Sequence, residues 1–211
     1  MRSHQYALGG YYTGINDWEF SVEGYYKDMR NVLEYKDGVS FFGSSSGWEN
    51  KVEMGKGRSA GIEFMAQKTA GKTTGWLSYT LSKSDRKFTK GGINNGEWFP
   101  YKYDRRHSIN LTINHKFSDR IDIGASWVFY TGGTSTIPEE KTTVIRPHNG
   151  ANNGFLWYGT YDNTNSSPTI GDVSYIEHRN NFRLPASHRL NLGVNFNKKT
   201  KHGMRTWNIS L

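Results

Sequence analysis

Hydrophobic and polar residues alternate along most of this chain with a period of two. Residues 107–117 place Ile109, Leu111 and Ile113 on one face and Ser108, Asn110, Thr112 and Asn114 on the other. In 121–130, Ile121, Ile123, Ala125, Trp127 and Phe129 oppose Asp122, Gly124, Ser126 and Tyr130. In 188–197, Leu190, Leu192, Val194 and Phe196 oppose Arg189, Asn191, Gly193 and Asn195. Alternation over about ten residues predicts a strand with one apolar face, and about 9–11 residues is also the length a tilted strand needs to cross a bilayer. Weaker copies occupy 4–13 (Tyr6, Leu8, Gly10, Tyr12), 18–34 (Trp18, Phe20, Val22, Gly24, Tyr26), 58–70 (Ala60, Ile62, Phe64, Ala66) and 73–86 (Gly75, Leu77, Tyr79, Leu81). A last strand runs through Trp207, Ile209 and Leu211. The reading is all-β, with eight strands and no convincing helix.

The connections alternate in length. Gly14–Asp17, Gly71-Lys72, Ser118–Arg120 and Lys198–Gly203 are short and polar, whereas about 35–57, 87–105 and 131–186 are long. Short turns at one end and long loops at the other is the pattern of an antiparallel up-and-down transmembrane β-barrel, with the long loops extracellular. Sixteen residues are then expected to face lipid: Phe20, Val22, Ile62, Phe64, Leu77, Tyr79, Ile109, Leu111, Ile113, Ile123, Trp127, Phe129, Leu190, Leu192, Val194 and Phe196. Glu19, Glu23, Glu63, Asp122 and Arg189 fall on the wet face, and nothing in the alternation brings two of them together.

Composition supports this picture. The 211 residues include 24 Gly, 13 Tyr, 11 Phe and 7 Trp but no Cys, and mean hydropathy is −0.76. The aromatics argue against disorder, and the missing cysteines exclude a disulfide framework or thiolate metal site. No run of about 18 apolar residues could form a transmembrane helix. The net charge of +8 comes from scattered Lys and Arg without a nucleic-acid-binding motif, so no nucleic-acid partner is expected. The first residues show no apolar h-region, so no signal peptide is read in the chain as given.

Candidate chemistry is sparse. Gly43-Ser44-Ser45-Ser46-Gly47 matches G-x-S-x-G, but polar residues follow it where a nucleophile elbow needs a helix. Gly55–Gly61 reads as a glycine-assisted turn into a strand, since no helix N-terminus follows to hold a phosphate. His148 and His178 share the longest loop with Glu139, Glu140, Asp162, Asp172 and Glu177; solvated side chains are the default there, a loop metal or ligand site the alternative. Asp104-Arg105-Arg106-His107 reads as an ion-pair cluster where a loop rejoins the wall. No catalytic set, metal set or cofactor loop emerges, so no enzyme activity is expected. Loop aromatics could stack on sugars or planar ligands: Trp48, Trp98, Tyr101, Tyr103, Trp157, Tyr158 and Tyr161, with Phe99 beside them.

Several strings together carry a resemblance. They are Tyr25-Tyr26-Lys27-Asp28-Met29-Arg30-Asn31-Val32-Leu33-Glu34-Tyr35, Gly57-Arg58-Ser59-Ala60-Gly61-Ile62-Glu63-Phe64 and Trp76-Leu77-Ser78-Tyr79-Thr80-Leu81-Ser82-Lys83-Ser84. Further on come Pro100-Tyr101-Lys102-Tyr103-Asp104-Arg105-Arg106-His107-Ser108-Ile109-Asn110, Ser126-Trp127-Val128-Phe129-Tyr130-Thr131-Gly132 and Leu184-Pro185-Ala186-Ser187-His188-Arg189-Leu190-Asn191-Leu192. In this order they resemble the C-terminal barrel strands of TonB-dependent outer-membrane receptors, across nearly the whole of residues 1–211. The resemblance implies outer-membrane lipid as surroundings. It also implies import of a ferric siderophore, haem, cobalamin or oligosaccharide, and coupling to the TonB system through a plug domain. The chain holds about eight strands of a larger barrel wall, and the plug and the family's last strand are not among its residues. It therefore reads as a receptor segment that does not transport alone. The alternative is a self-contained eight-stranded structural or adhesive barrel.

Overall fold

The computed structural model describes residues 1–36, 47–90, 92–146, 169–201 and 203–211. Thirteen strands follow in chain order. They are β1 (Arg2–Ile15), β2 (Trp18–Tyr35), β3 (Val52–Lys68), β4 (Thr73–Lys87), β5 (Trp98–Pro100), β6 (His107–Lys116), β7 (Ile121–Tyr130), β8 (Thr134–Ser135), β9 (Glu140–Arg146), β10 (Thr169–Tyr175), β11 (Phe182–Arg183), β12 (Ser187–Thr200) and β13 (Gly203–Ser210). Eight long strands form one antiparallel sheet in the order β1-β2-β3-β4-β6-β7-β12-β13, and β5 adds to the end of β4. These are the eight strands expected from the alternation. Among the described residues the only helical segments are two short 3-10 turns.

Register makes the face assignment concrete. Reading across the sheet at mid-height, Leu8 opposes Gly24, Gly24 opposes Ile62, and Ile62 opposes Leu81. Leu77 opposes Leu111, Leu111 opposes Trp127, and Trp127 opposes Leu190. Val194 opposes Ile123 on one side and Ile209 on the other. Side chains alternate with period two, so directly opposed residues share a face. All sixteen apolar residues named above thus lie on one face of one continuous sheet. The uncharged stretches Trp18, Phe20, Val22, Gly24, Tyr26 and Ile121, Ile123, Ala125, Trp127, Phe129 are each about nine residues long. At about 3.4 Å per residue and a tilt of about 40°, they cover roughly 23 Å, the height of a barrel's apolar band.

The opposite face is polar and laced across strands. Asn191 Nδ2 donates to Ser126 Oγ at 3.0 Å, and Asn195 Nδ2 and Asn197 Nδ2 donate to the two oxygens of Asp122 at 2.7 and 2.6 Å. Asn208 Nδ2 continues the ladder to Asn195 Oδ1. These bonds satisfy amides and a carboxylate across three neighbouring strands.

Four expectations need correction. First, the long connections carry structure: β2 and β3 extend to Tyr35 and back to Val52, β5 lies within 87–105, and β8 pairs with β11 and β9 with β10 within 131–186. In the extensions of β2, β3 and β4 the positions that continue the apolar face are charged, and backbone pairing needs no apolar side chain. Second, Gly55–Gly61 is strand, not turn; residue 55 is glycine because a Cβ would run into Phe88 and the Lys87 carbonyl. Third, Glu23 and Glu63 do meet, directly opposed on the polar face. Fourth, the sheet is open: among the described residues β1 and β13 each have one long neighbour, so the closed eight-stranded alternative is not the arrangement seen.

Candidate functional site

The loop end of the polar face is where chemically capable side chains gather. A β-bulge in β2 prepares it. Register slips between Arg30 and Val32, and the extra residue, Asn31, takes φ of 57°. Asn tolerates this left-handed conformation better than most residues. The slip moves Val32 opposite Gly55 and Glu34 opposite Glu53, turning both toward the polar face. Val32 then joins Phe88, Ile93 and Phe99 in a small buried core, where the rings of Phe88 and Phe99 stack at 6.0 Å. Each such side chain contributes about 1.5–3 kcal/mol on burial, enough to fix a short loop against the wall.

Around that core lie two ion-pair centres. Glu34 accepts from Arg86 Nη1 at 2.8 Å and from Arg179 Nη2 at 3.5 Å. The Arg86 guanidinium lies 3.6 Å from the centre of the Tyr101 ring. Asp104, almost wholly buried, accepts from Arg183 Nη2 at 2.6 Å, from the Ser84 backbone N–H at 2.7 Å and from Arg106 at 3.5 Å. Arg183 also donates to the carbonyls of Asp104 and Gly132. Residues 179–183 therefore stitch the three connections together: Arg179 also reaches Asn94 and Tyr35, and Asn180 reaches Pro100 and Thr136.

The expected loop aromatics separate. Tyr101 is on the polar face beneath Arg86, and Tyr103 packs edge-on against it at 5.4 Å while remaining exposed. Trp48 is exposed on the 3-10 turn between β2 and β3. Trp98 pairs with Lys87 on the opposite face, its ring under the Arg58 guanidinium at 4.3 Å. Phe99 is buried in the loop core and presents no stacking surface. Trp157, Tyr158 and Tyr161 lie outside the described residues. The Asp104–Arg106 cluster expected from sequence is present, but Arg183 and Arg179 were not foreseen. No periodic signal marks either arginine, because their partners lie 79 and 145 positions away.

In the third connection, Glu139, Glu177 and His178 bring ligand-type atoms within 4.8 Å of one another, all exposed. The Asn181 amide holds the Glu139 carboxyl below its usual range against an opposing desolvation, and the His178 backbone N–H and charge add to the lowering. His148 and Asp162, expected in the same group, lie outside the described residues.

The geometry defines a class: an antiparallel wall with one apolar and one polar face, short turns at one end, and structured, charged loops at the other. The chain belongs to the TonB dependent receptor-like beta-barrel family, whose profile matches residues 1–211. Proteins of this family are receptors and transporters of the outer membrane. No curated protein matches the chain.

Proposed function

We propose that the chain is a stretch of the wall of an outer-membrane importer. Its apolar face lies against lipid, its polar face lines the lumen, and its long connections face the exterior. The observation that carries this is the register, which collects sixteen separately expected apolar residues on one face of one sheet. The role in this reading is binding and passage, as in the receptors and transporters of the family. Cargo capture falls to the loop end of the polar face. There the exposed Tyr103 offers a ring, and the Arg86–Glu34 pair beside Tyr101 carries both charges, a combination suited to a polar small molecule or an oligosaccharide. Energy coupling to the TonB system would run through a plug domain outside these residues.

These 211 residues contain no cysteine, so a cysteine introduced among them is the only one in this stretch, and labelling is read against the parent protein without it. With Tyr103→Cys in the full-length protein in intact cells, a membrane-impermeant maleimide is expected to label at once. Ser118→Cys, in a short turn, is expected to label only after the outer membrane is permeabilised. Equal labelling of both in intact cells would overturn the orientation.

A further inference from the structure

The apolar face does not end gradually. Beyond Tyr26, Ala60 and Leu81, register places six cations on that same face: Arg2, Arg30, Lys56, Arg58, Lys83 and Lys87. Only Asp28 and Asp85 accompany them there, an excess of four positive charges. Asp85 is the organiser. Its carboxylate is 7% exposed and takes Arg58 at 3.1 Å and Lys83 at 3.5 Å, whereas those two cations are 43% and 54% exposed. One buried negative charge thus holds two positive charges outward. On β6, β7 and β12 the paired positions of this face end at His107, opposite Leu81, and at Phe129 and His188, one rung lower beside Tyr79 and Ile109, so the paired cations at this end lie on β1–β4.

A groove of about 660 Å³ is lined by Leu8, Gly24, Ala60, Ile62 and Leu81, with Lys83 and Arg106 as its lining cations. Arg58 lies just outside it, two residues along β3 from Ala60 on the same face and sharing Asp85 with Lys83. A Cβ added at Gly24 would meet nothing within 4 Å, so the groove is open at that position. An apolar channel ending in exposed cations is complementary to a molecule with a hydrocarbon chain and an anionic head. Charge-assisted bonds from Arg and Lys to phosphate are strong, and each cation near an anionic membrane surface contributes about 1 kcal/mol.

We propose that β1–β4 form a binding site for a membrane lipid with a phosphate-bearing headgroup, its acyl chain in the Gly24–Ala60 groove and its phosphate between Arg58 and Lys83. The proposal rests on the reading of the apolar face as lipid-facing. It goes further in assigning one patch of that face a headgroup preference.

The test uses the full-length protein isolated from outer membranes and exchanged into phosphatidylcholine nanodiscs containing a small share of phosphatidic acid. Native mass spectrometry reads the lipid retained. Phosphatidic acid is expected to be retained in preference to phosphatidylcholine, and the Arg58→Gln/Lys83→Gln double variant is expected to lower that preference about tenfold, equivalent to about 1.4 kcal/mol. Gly24→Val, which adds bulk at a position where a Cβ meets nothing within 4 Å, is expected to lower it as well. Lys27→Gln, at similar height on the polar face, should leave it unchanged. Competition by inorganic phosphate that abolishes retention, with no effect of Gly24→Val, would assign the cations to free phosphate and overturn the lipid site. Equal retention of both lipids by a protein that is embedded in the disc would overturn the site and leave the lipid-facing reading intact. Failure to embed would overturn both.

Discussion

Asp104 shows how much a single buried carboxylate can organise. It is held by one backbone N–H and two arginines contributed by different segments, so the fit of the third connection on the wall depends on it. Removing Arg183 leaves Arg106 as a distant, half-exposed partner. Arg183→Ala is therefore expected to loosen this junction by about 1–3 kcal/mol, the cost of an under-satisfied buried acceptor, and to accelerate protease cleavage near residues 131–186. An unchanged cleavage rate would show the junction to be held otherwise. Gly55 makes a second, purely steric case. Gly55→Ala drives a Cβ into Phe88 and the Lys87 carbonyl and is expected to cost about 1–3 kcal/mol in denaturant unfolding, whereas Gly24→Ala, in open space, should cost nothing measurable.

At the scale of the strand, period-two alternation converts a sequence into two environments. The two faces of β6 then predict opposite outcomes for the same charge. Leu111→Arg, in the middle of the apolar face, is expected to cost about 2–4 kcal/mol for folding into a bilayer, while Asn110→Arg on the polar face should cost far less. Heat-modifiable migration on gels after refolding into lipid would separate the two. The bulge is the element-level feature that alternation cannot see. Continuing the alternation past Arg30 would put Val32 on the apolar face, yet Asn31 absorbs one residue and sends Val32 into the loop core. Asn31→Gly keeps the left-handed backbone accessible. Asn31→Val opposes it and is expected to destabilise the loop end by about 1–2 kcal/mol, visible as faster amide exchange at Phe88 and Phe99.

The whole sheet is stabilised unevenly. β2, β3, β4, β6, β7 and β12 each pair with long strands on both sides, while β1 and β13 pair on one side and are exposed along their length. Within the described residues the apolar face is largely uncovered, so little of its stabilisation comes from packing protein against protein. In the proposed reading, lipid or detergent supplies the missing burial. Amide exchange in detergent is accordingly expected to be slowest at the centres of β4, β6 and β7 and fastest along β1 and β13; uniform protection across all eight strands would mean that both edges are covered by further pairing.

The strands and their faces were legible in the amino-acid sequence because alternation is local and repeats eight times with the same meaning, and the family was legible in a separate set of residue strings. Ile109, Leu111 and Ile113 announce their shared environment without reference to any other segment. The tertiary structure alone decided what happens above the apolar band. Glu34, Arg86, Arg179, Asp104 and Arg183 meet across separations of up to 145 residues, Val32 changes face through one bulged asparagine, and Arg58 and Lys83 converge on Asp85 through strand register. Charged and loop residues carry no periodic signal, and their partners are chosen by how the strands align rather than by neighbours in the chain. That is why the wall was legible in the amino-acid sequence, and at its rim Asp104, Arg106, Tyr101 and Tyr103 were, while their distant partners Arg179 and Arg183 were not.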